Sequence, residues 1–315
     1  MKHLRSLLFA SAFLAGTANI ALAAEREGVV VSIKPLHSIV SAVMQGVGKP
    51  KLIVQGAGSE HVYSLKPSDA EAIEHAKVIF WAGPSMETFL DKPIDTLGEG
   101  AKVVALGDAD GLTRLKFREG GPFDVHDHAH NDEKEHDHHH HGHGEYDLHF
   151  WLDPQNGKVL ATDIAKTLAE SDPEHAVQYE TNARDYGEKI DALTKAVASE
   201  VEPVKDKPFI VFHDAYQYFE NRFGMKAVGS ITVSPEKAPG AARIKEIHEK
   251  IKSLGAACVF SEPQFEPKLM QTVIEGTDAR TGVLDPLGAE LKDGPDLYPQ
   301  LIRNLADSLK TCLSK

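Results

Sequence analysis

Short apolar runs alternate with amphipathic helical patterns along most of the chain. The runs are rich in β-branched and aromatic residues and are bounded by polar or glycine-containing segments, as buried strands usually are. Strands that alternate with helices predict parallel sheets covered by helices on both faces. The pattern therefore predicts an α/β protein with two similarly organised lobes. The predicted strands are Val29–Ile33, Leu52–Val54, Val78–Trp81 and Val103–Leu106, then Phe209–Phe212, Ala227–Ser230, Cys258–Phe260 and Gly282–Leu284.

One long helical pattern separates the two groups of strands. Asp172 is a suitable N-cap and Pro203 stops the pattern. The 29 residues between Asp172 and Glu202 would form a helix roughly 43 Å long. A coiled coil is the rival interpretation, but this is a single segment interrupted by Asn182 and Arg184. We expect a rigid helix that joins the lobes, with a crevice between them. Its apolar stripe is Ala176, Tyr179, Ala183, Tyr186, Ile190, Leu193, Val197 and Val201.

The first residues have the pattern of a secretory signal peptide. A basic start is followed by an apolar run, 6–20, and a small-residue cleavage site, which we expect to be cut after Ala23 or Ala24. An exported protein of this kind is expected in a bacterial periplasm. The mature chain is expected to divide into an N-terminal lobe (24–155), a helical segment with the long linking helix (156–205) and a C-terminal lobe (206–315).

The charge of the chain limits its partners. Its formal net charge is −13, which argues against nucleic acid and anionic membranes and mildly favours cations. Apart from the charge, we expect the protein to be a monomer.

The segment 124–147 combines nine histidines with eight acidic residues and almost no apolar side chains. It cannot bury enough apolar surface to offset the entropy of ordering, so a mobile loop is expected. Imidazoles bind zinc, copper and nickel, and the composition therefore indicates transition-metal handling. The loop would either collect ions at lower affinity or sense zinc sufficiency. A purification tag and a merely solvated loop are the alternatives. The histidines are His126, His128, His130, His136, His138, His139, His140, His141 and His143.

Three isolated histidines are candidates for an ordered metal site. His213 follows a predicted strand, at the sheet edge that faces the ligand crevice in parallel α/β folds. His61 lies in a glycine-rich connection after Leu52–Val54, and His149 follows the His-rich segment. Three imidazoles with a carboxylate or water suit tetrahedral zinc. Glu60 and Asp285 are the carboxylate candidates, and each histidine also has a purely structural interpretation.

The chain has two cysteines. The final helical pattern points Cys312 inward, and Cys258 lies in an apolar strand. A disulfide is favoured in an oxidising compartment, with two buried thiols as the alternative. A zinc–thiolate site is not expected, because the two cysteines of this chain lack the paired spacing that such sites use.

Six motifs resemble the zinc-uptake solute-binding proteins of ABC transporters (ZnuA type), and the resemblance extends over the whole mature chain. They are SIKPLHS (32–38), GSEHVYSLKPSD (58–69), WAGPSME (81–87), HFWLDP (149–154), VFHDAY (211–216) and LDPLG (284–288).

The resemblance implies a site and a function. His61, His149 and His213 would bind zinc, with Glu60 or a water as the fourth ligand. Manganese-binding relatives carry a carboxylate in place of His213 and an aspartate matching Asp285, so whether Asp285 binds metal or only orients a ligand stays open. The family's disulfide matches the two cysteines of this chain.

By the same resemblance, the protein would capture periplasmic Zn²⁺ and deliver it to an inner-membrane ABC permease, with a periplasmic zinc chaperone as a further partner. It would not be an enzyme. Two alternatives remain: a zinc hydrolase or hydratase with a three-histidine site, and a stand-alone periplasmic metal buffer. The sequence has no His-Glu-x-x-His motif, which argues against the enzyme.

Overall fold

Two parallel four-stranded sheets form the two halves of the computed structural model, which describes residues 28–118, 123, 146–232, 240–255, 257–265 and 267–314. The predicted signal peptide, 1–23, lies outside these residues. Both sheets have the same strand order, second–first–third–fourth, and every pairing is parallel. The predicted fold class is therefore confirmed. The strands are β1 Val29–Val31, β2 Lys51–Leu52, β3 Val78–Trp81 and β4 Lys102–Ala105, then β5 Phe209–Val211, β6 Ala227–Ser230, β7 Cys258–Ser261 and β8 Arg280–Val283.

Each predicted strand corresponds to an observed one, and their ends differ by up to two residues. β1 stops at Val31 because Ile33 already serves as the N-cap residue of the following helix. β8 begins at Arg280 rather than Gly282, since its pairing with β7 starts opposite Cys258. Apolar runs predicted the existence of the strands, whereas tertiary pairing set their ends.

Helices cover the faces of both sheets and fill the space between them. Among the described residues, no helix is both long and apolar enough to cross a membrane. The helices are α1 Lys34–Val43, α2 Pro67–Glu74, α3 Thr88–Leu97, α4 Pro154–Ser171, α5 Ala176–Val201, α6 Gln217–Phe223, α7 Ala241–Leu254, α8 Pro267–Ile274 and α9 Leu297–Leu313.

The long helix α5 is shorter than predicted. It has 26 residues, and the preceding residues Pro173–His175 form a 3₁₀ turn. Asp172 is the N-cap residue of this turn, as predicted, but its side chain makes no capping hydrogen bond to the backbone. Its carboxylate instead accepts hydrogen bonds from Nδ1 of His175 and the hydroxyl of Tyr179, each at 2.9 Å. The predicted end before Pro203 is confirmed. The predicted stripe is buried from Tyr179 to Val201, and only Ala176 is half-buried.

Helix α5 joins the two halves through polar contacts and a shared core. Asn182 donates to the carbonyl oxygens of Val43 and Gln45 at the end of α1, both at 2.8 Å. Near the other end, Glu200 accepts from Lys310 of α9 at 3.0 Å. One continuous cluster of buried apolar side chains runs from the first sheet through α4, α5 and α9 to the second sheet. Because the core is shared, α5 links the lobes as a rigid element.

The second sheet separates two layers of apolar side chains. Phe209 and Val211 of β5 point into the shared core, whereas Ile210 and Phe212 belong to a smaller cluster beneath α7 and α8. This alternation follows from the two-residue period of a strand. The predicted Cys258–Cys312 disulfide is confirmed and connects β7 to α9. Leu301, Leu305 and Leu309 are buried on the same face of α9 as Cys312.

Candidate metal centre

The three predicted histidines lie on three different connections. His61 belongs to the connection 53–66 between β2 and α2, where its backbone N–H donates to Oγ of Ser59 at 3.1 Å. His213 comes two residues after β5. His149 directly precedes a 3₁₀ turn, Phe150–Leu152, and follows an isolated antiparallel bridge at Tyr146. The candidate metal centre is therefore assembled by tertiary structure rather than by one local motif.

These histidines converge with Glu60. One ligand atom of each residue lies within 4.8 Å of all the others. Nε2 of His149 and Nε2 of His213 are 3.3 Å apart, and Oε1 of Glu60 lies 3.8 Å from Nε2 of both His61 and His149. Tetrahedral zinc with bonds of about 2.0–2.1 Å separates its ligand atoms by roughly 3.3–3.4 Å. The four side chains thus surround a space of the size that one zinc ion needs.

Glu60 has the environment of a cation ligand. Its side chain is only 2% exposed, and Oε1 has no hydrogen-bond partner among the described residues. A buried carboxylate oxygen without a partner is costly, so such an atom calls for an explanation. The three imidazole rings lie near this carboxylate, with their centroids 5.2 to 5.6 Å apart. A metal ion bound by the three rings would also be the partner that Oε1 of Glu60 needs.

Glu262, which the sequence interpretation missed, orients His213. Both carboxylate oxygens lie 2.8 Å from Nδ1 of His213, and Oε1 also accepts from the hydroxyl of Tyr216 at 3.1 Å. Burial of His213 disfavours its charged form, but the carboxylates of Glu262 and Glu60 outweigh burial and raise the pKa of this imidazole to about 9. Because Nδ1 faces Glu262, Nε2 points toward the other side chains of the group and lies 3.3 Å from Nε2 of His149.

Asp147 has the same role toward His149. Its Oδ1 accepts from the backbone N–H of His149 at 2.9 Å and lies 2.7 Å from Nδ1 of the ring. Although burial alone would raise the pKa of Asp147, the imidazole and the amide of Gln217 lower it below the ordinary value. Metal-binding histidines usually donate their second ring nitrogen to such a carboxylate. Asp147 is the last residue of the predicted His-rich loop, and no pattern in the sequence indicated a role for it.

Asp285 does not join the group. Its Oδ1 accepts from the backbone N–H groups of Leu287 and Gly288, at 3.1 and 2.9 Å, and its Oδ2 accepts from Ala289 at 2.6 Å. The carboxylate therefore stabilises the turn that follows β8, and the geometry does not support the alternative in which Asp285 binds the ion. The nine histidines between 126 and 143 lie outside the described residues, so their metal binding stays a prediction.

Two parallel α/β lobes on a shared helix, with imidazoles and a carboxylate converging between them, define a metal-binding member of the solute-binding proteins. A family model described as ZnuA, the periplasmic component A of the zinc-uptake complex, matches residues 29–312. The chain belongs to this family.

Relatives agree in sequence and in structure. The chain is 82% identical over 334 aligned positions to the high-affinity zinc uptake system protein ZnuA of Brucella suis, and the match covers 100% of both chains. A crystal structure of ZnuA has a TM-score of 0.75 and 24% identity, with 91% of this chain and 98% of that chain covered. A ZnuA deletion mutant with zinc bound has a TM-score of 0.74, also at 24% identity and the same coverage. At this identity, the two structures support the fold.

Proposed function

We propose that this protein captures Zn²⁺ in the periplasm through Glu60, His61, His149 and His213 and delivers it to an ABC permease of the inner membrane. The observation that carries this proposal is the convergence of three imidazole nitrogens and one buried carboxylate oxygen from three distant connections. The relative from Brucella suis, named a high-affinity zinc uptake protein, supports zinc as the cargo.

The donor set suits zinc chemically. Three neutral imidazoles and one carboxylate give a borderline-soft tetrahedral shell, which favours zinc over the harder ions that prefer oxygen ligands. Without the metal, the neighbouring carboxylates raise the pKa of His213 and so favour its protonated form, and zinc binding at Nε2 would displace that proton. Glu60 places one negative charge against the ion in a buried setting, where charge interactions are strong.

His61 offers the route between this centre and solvent. Its side chain is 22% exposed, while those of Glu60, His149 and His213 are almost fully buried. The ion would therefore enter and leave beside His61, whose connection lacks regular secondary structure.

The family is a transport family rather than an enzyme family. Four protein ligands would fill a tetrahedral shell, whereas catalytic zinc keeps one position open for water or substrate. This donor count supports a binding function over a hydrolase or hydratase. Zinc-loaded protein should show no turnover of ester or CO₂ substrates above the matched zinc-free protein.

The family model describes a periplasmic component, which supports export of this protein from the cytoplasm. We propose that residues 1–23 form the cleaved signal peptide. We further propose a monomer that can receive zinc from a periplasmic chaperone, and a His-rich segment that collects ions at lower affinity. Deletion of residues 124–144 should leave one tight site and remove the weaker ones. Loss of zinc uptake on removal of the protein would distinguish delivery to a permease from a stand-alone buffer.

Alanine substitution tests the ligands directly. The triple variant His61→Ala, His149→Ala, His213→Ala should lose tight zinc binding in a chelator competition assay, since one carboxylate alone cannot hold the ion. His75→Ala is the matched control, because His75 is exposed at the end of α2. Tight binding retained by the triple variant would overturn the proposal.

A further inference from the structure

We propose that Gln217, on α6 of the second lobe, is a positioning residue for His149 of the first lobe, so that contact between the lobes holds the zinc site together. This inference rests on the proposed zinc-binding function and adds a coupling between the site and the lobe interface.

The first step is the contact between Gln217 and Asp147. The two oxygens of Asp147 have different partners: Oδ1 accepts from His149, and Oδ2 accepts from Nε2 of Gln217 at 2.9 Å. Nε2 of Gln217 also donates to the carbonyl oxygen of Lys116 at 3.0 Å. Asp147 is 1% exposed, so the amide of Gln217 is the donor that satisfies its second oxygen. A side chain of the second lobe thereby fixes the carboxylate that orients a ligand of the first.

Tyr218, the next residue of α6, holds the same segment. Its hydroxyl donates to the carbonyl oxygen of Asp147 at 2.6 Å and accepts from the backbone N–H of Leu115 at 3.1 Å. Tyr218 is 1% exposed. The backbone and the side chain of Asp147 are therefore both held by consecutive residues of one helix.

Arg118 adds a charged contact across the same interface. Its guanidinium binds Asp214, the neighbour of His213, and donates to both oxygens of Glu220 on α6, at 2.8 and 2.9 Å. Paired guanidinium–carboxylate contacts of this kind are strong and fix geometry. We call Arg118, Gln217 and Tyr218 the interlobe clamp.

The two orienting carboxylates differ in their dependence on this clamp. Glu262 and His213 both belong to the second lobe, so His213 keeps its orientation if the lobes move apart. Asp147 would lose Gln217 in the same movement, and His149 would then lose the fixed orientation of its ring. Separation at α6 would therefore draw His213 away from the first lobe and would also free the ring of His149, which gives a partner that pulls on α6 a direct means to release zinc.

The variant Gln217→Met tests this, because methionine has similar length and no amide donor. Zinc dissociation into excess chelator should accelerate about tenfold, the lower end of the effect of removing partners of metal ligands. The d–d absorption of Co²⁺-loaded protein should keep its tetrahedral intensity, since all four ligands remain. Gln300→Met is the matched control, because Gln300 is exposed on α9 and its side chain bonds only Asn304 among the described residues.

A merely structural role for Gln217 would lower the unfolding free energy of the metal-free protein and leave zinc dissociation at the rate of the control. If Gln217→Met accelerates zinc dissociation by less than about threefold, the inference is overturned, because removing a partner of a metal ligand is expected to have an effect of about tenfold or more. A double-mutant cycle gives a second readout: in an Asp147→Ala background, Gln217→Met should have little further effect on dissociation. Full additivity would also overturn it.

Measurements on the unsubstituted protein distinguish failure of this inference from failure of the proposed function. If the unsubstituted protein binds one zinc ion tightly and Gln217→Met releases it at the same rate, the positioning role alone fails. If the unsubstituted protein binds no zinc tightly, the proposed function fails.

Discussion

Glu262 lies with both carboxylate oxygens 2.8 Å from Nδ1 of His213, although 49 positions separate the two residues. β5 and β7 are neighbours in the second sheet, so the residues that follow them meet at the same carboxyl edge. In this fold the strand order reverses beside β5, and ligands of parallel α/β sheets bind at such a point. The sheet topology therefore explains why His213 and its orienting carboxylate meet there.

Glu262→Gln should weaken zinc binding by about 10- to 100-fold, because an amide makes the imidazole less basic and holds it less firmly than a carboxylate does. The dissociation constant would be measured by chelator competition. Glu170→Gln is a matched control, since Glu170 is exposed and pairs with Lys102 far from the centre. Equal affinity of the two variants would contradict the role given to Glu262.

Asp285→Asn should leave zinc affinity near that of the unsubstituted protein and lower the stability of the fold. The amide cannot accept from Ala289 on one side and from Leu287 and Gly288 on the other, as the carboxylate does. The expected loss is about 1–3 kcal/mol in unfolding free energy, measured by urea denaturation. A large drop in zinc affinity without loss of stability would instead make Asp285 a ligand.

Glu87 should make the metal-free protein less stable as the pH rises. Burial outweighs the hydrogen bonds that Glu87 accepts from the backbone N–H groups of Ala82 and Gly83, and it raises the pKa of Glu87 from 4.5 to about 7. Between these values the native protein binds more protons than the unfolded chain, so stability falls as the pH rises through this window. At about 1.4 kcal/mol per pH unit, the fall amounts to at most about 3 to 4 kcal/mol.

Glu87→Gln removes this titration. The difference in unfolding free energy between the variant and the unsubstituted protein should therefore shift in favour of the variant from pH 5 to pH 8. Other titrating groups cancel in the difference, so a pH-independent difference would show that Glu87 is already ionised at low pH.

The double variant Cys258→Ala, Cys312→Ala should lose about 4 kcal/mol of unfolding free energy, the chain-entropy estimate for a loop of this length. The cysteines are 54 positions apart. Zinc affinity should be nearly unchanged, because Cys258 begins β7 whereas Glu262 follows its other end. A loss of zinc binding at full stability would contradict this separation of roles.

The sequence predicted most of the fold and the three histidines that the structure brings together with Glu60. Apolar runs located the strands, and the position of His213 after one of them placed it at the crevice edge. The same rule could have found Glu262, which follows β7 directly, but no sequence pattern singled it out. Asp147 and Gln217 could not be paired from sequence, since their contact depends on the packing of α6 against a distant segment.

Local side-chain contacts account for one difference. Asp172 stands at the N-cap position, but its carboxylate binds the imidazole of His175 and the phenol of Tyr179 instead of a backbone N–H. The predicted lobe limits at 155 and 205 stay a prediction, since α9 of the second half packs on α1 of the first.

The central claim is that one zinc ion is held by Glu60, His61, His149 and His213. A crystal structure of the zinc-loaded protein, with anomalous scattering at the zinc edge, tests it most directly. We predict one strong peak within about 2.0–2.3 Å of the three Nε2 atoms and of a carboxylate oxygen of Glu60. A peak elsewhere in the protein, or an ion at this place that lacks any of the three imidazoles, would contradict the account.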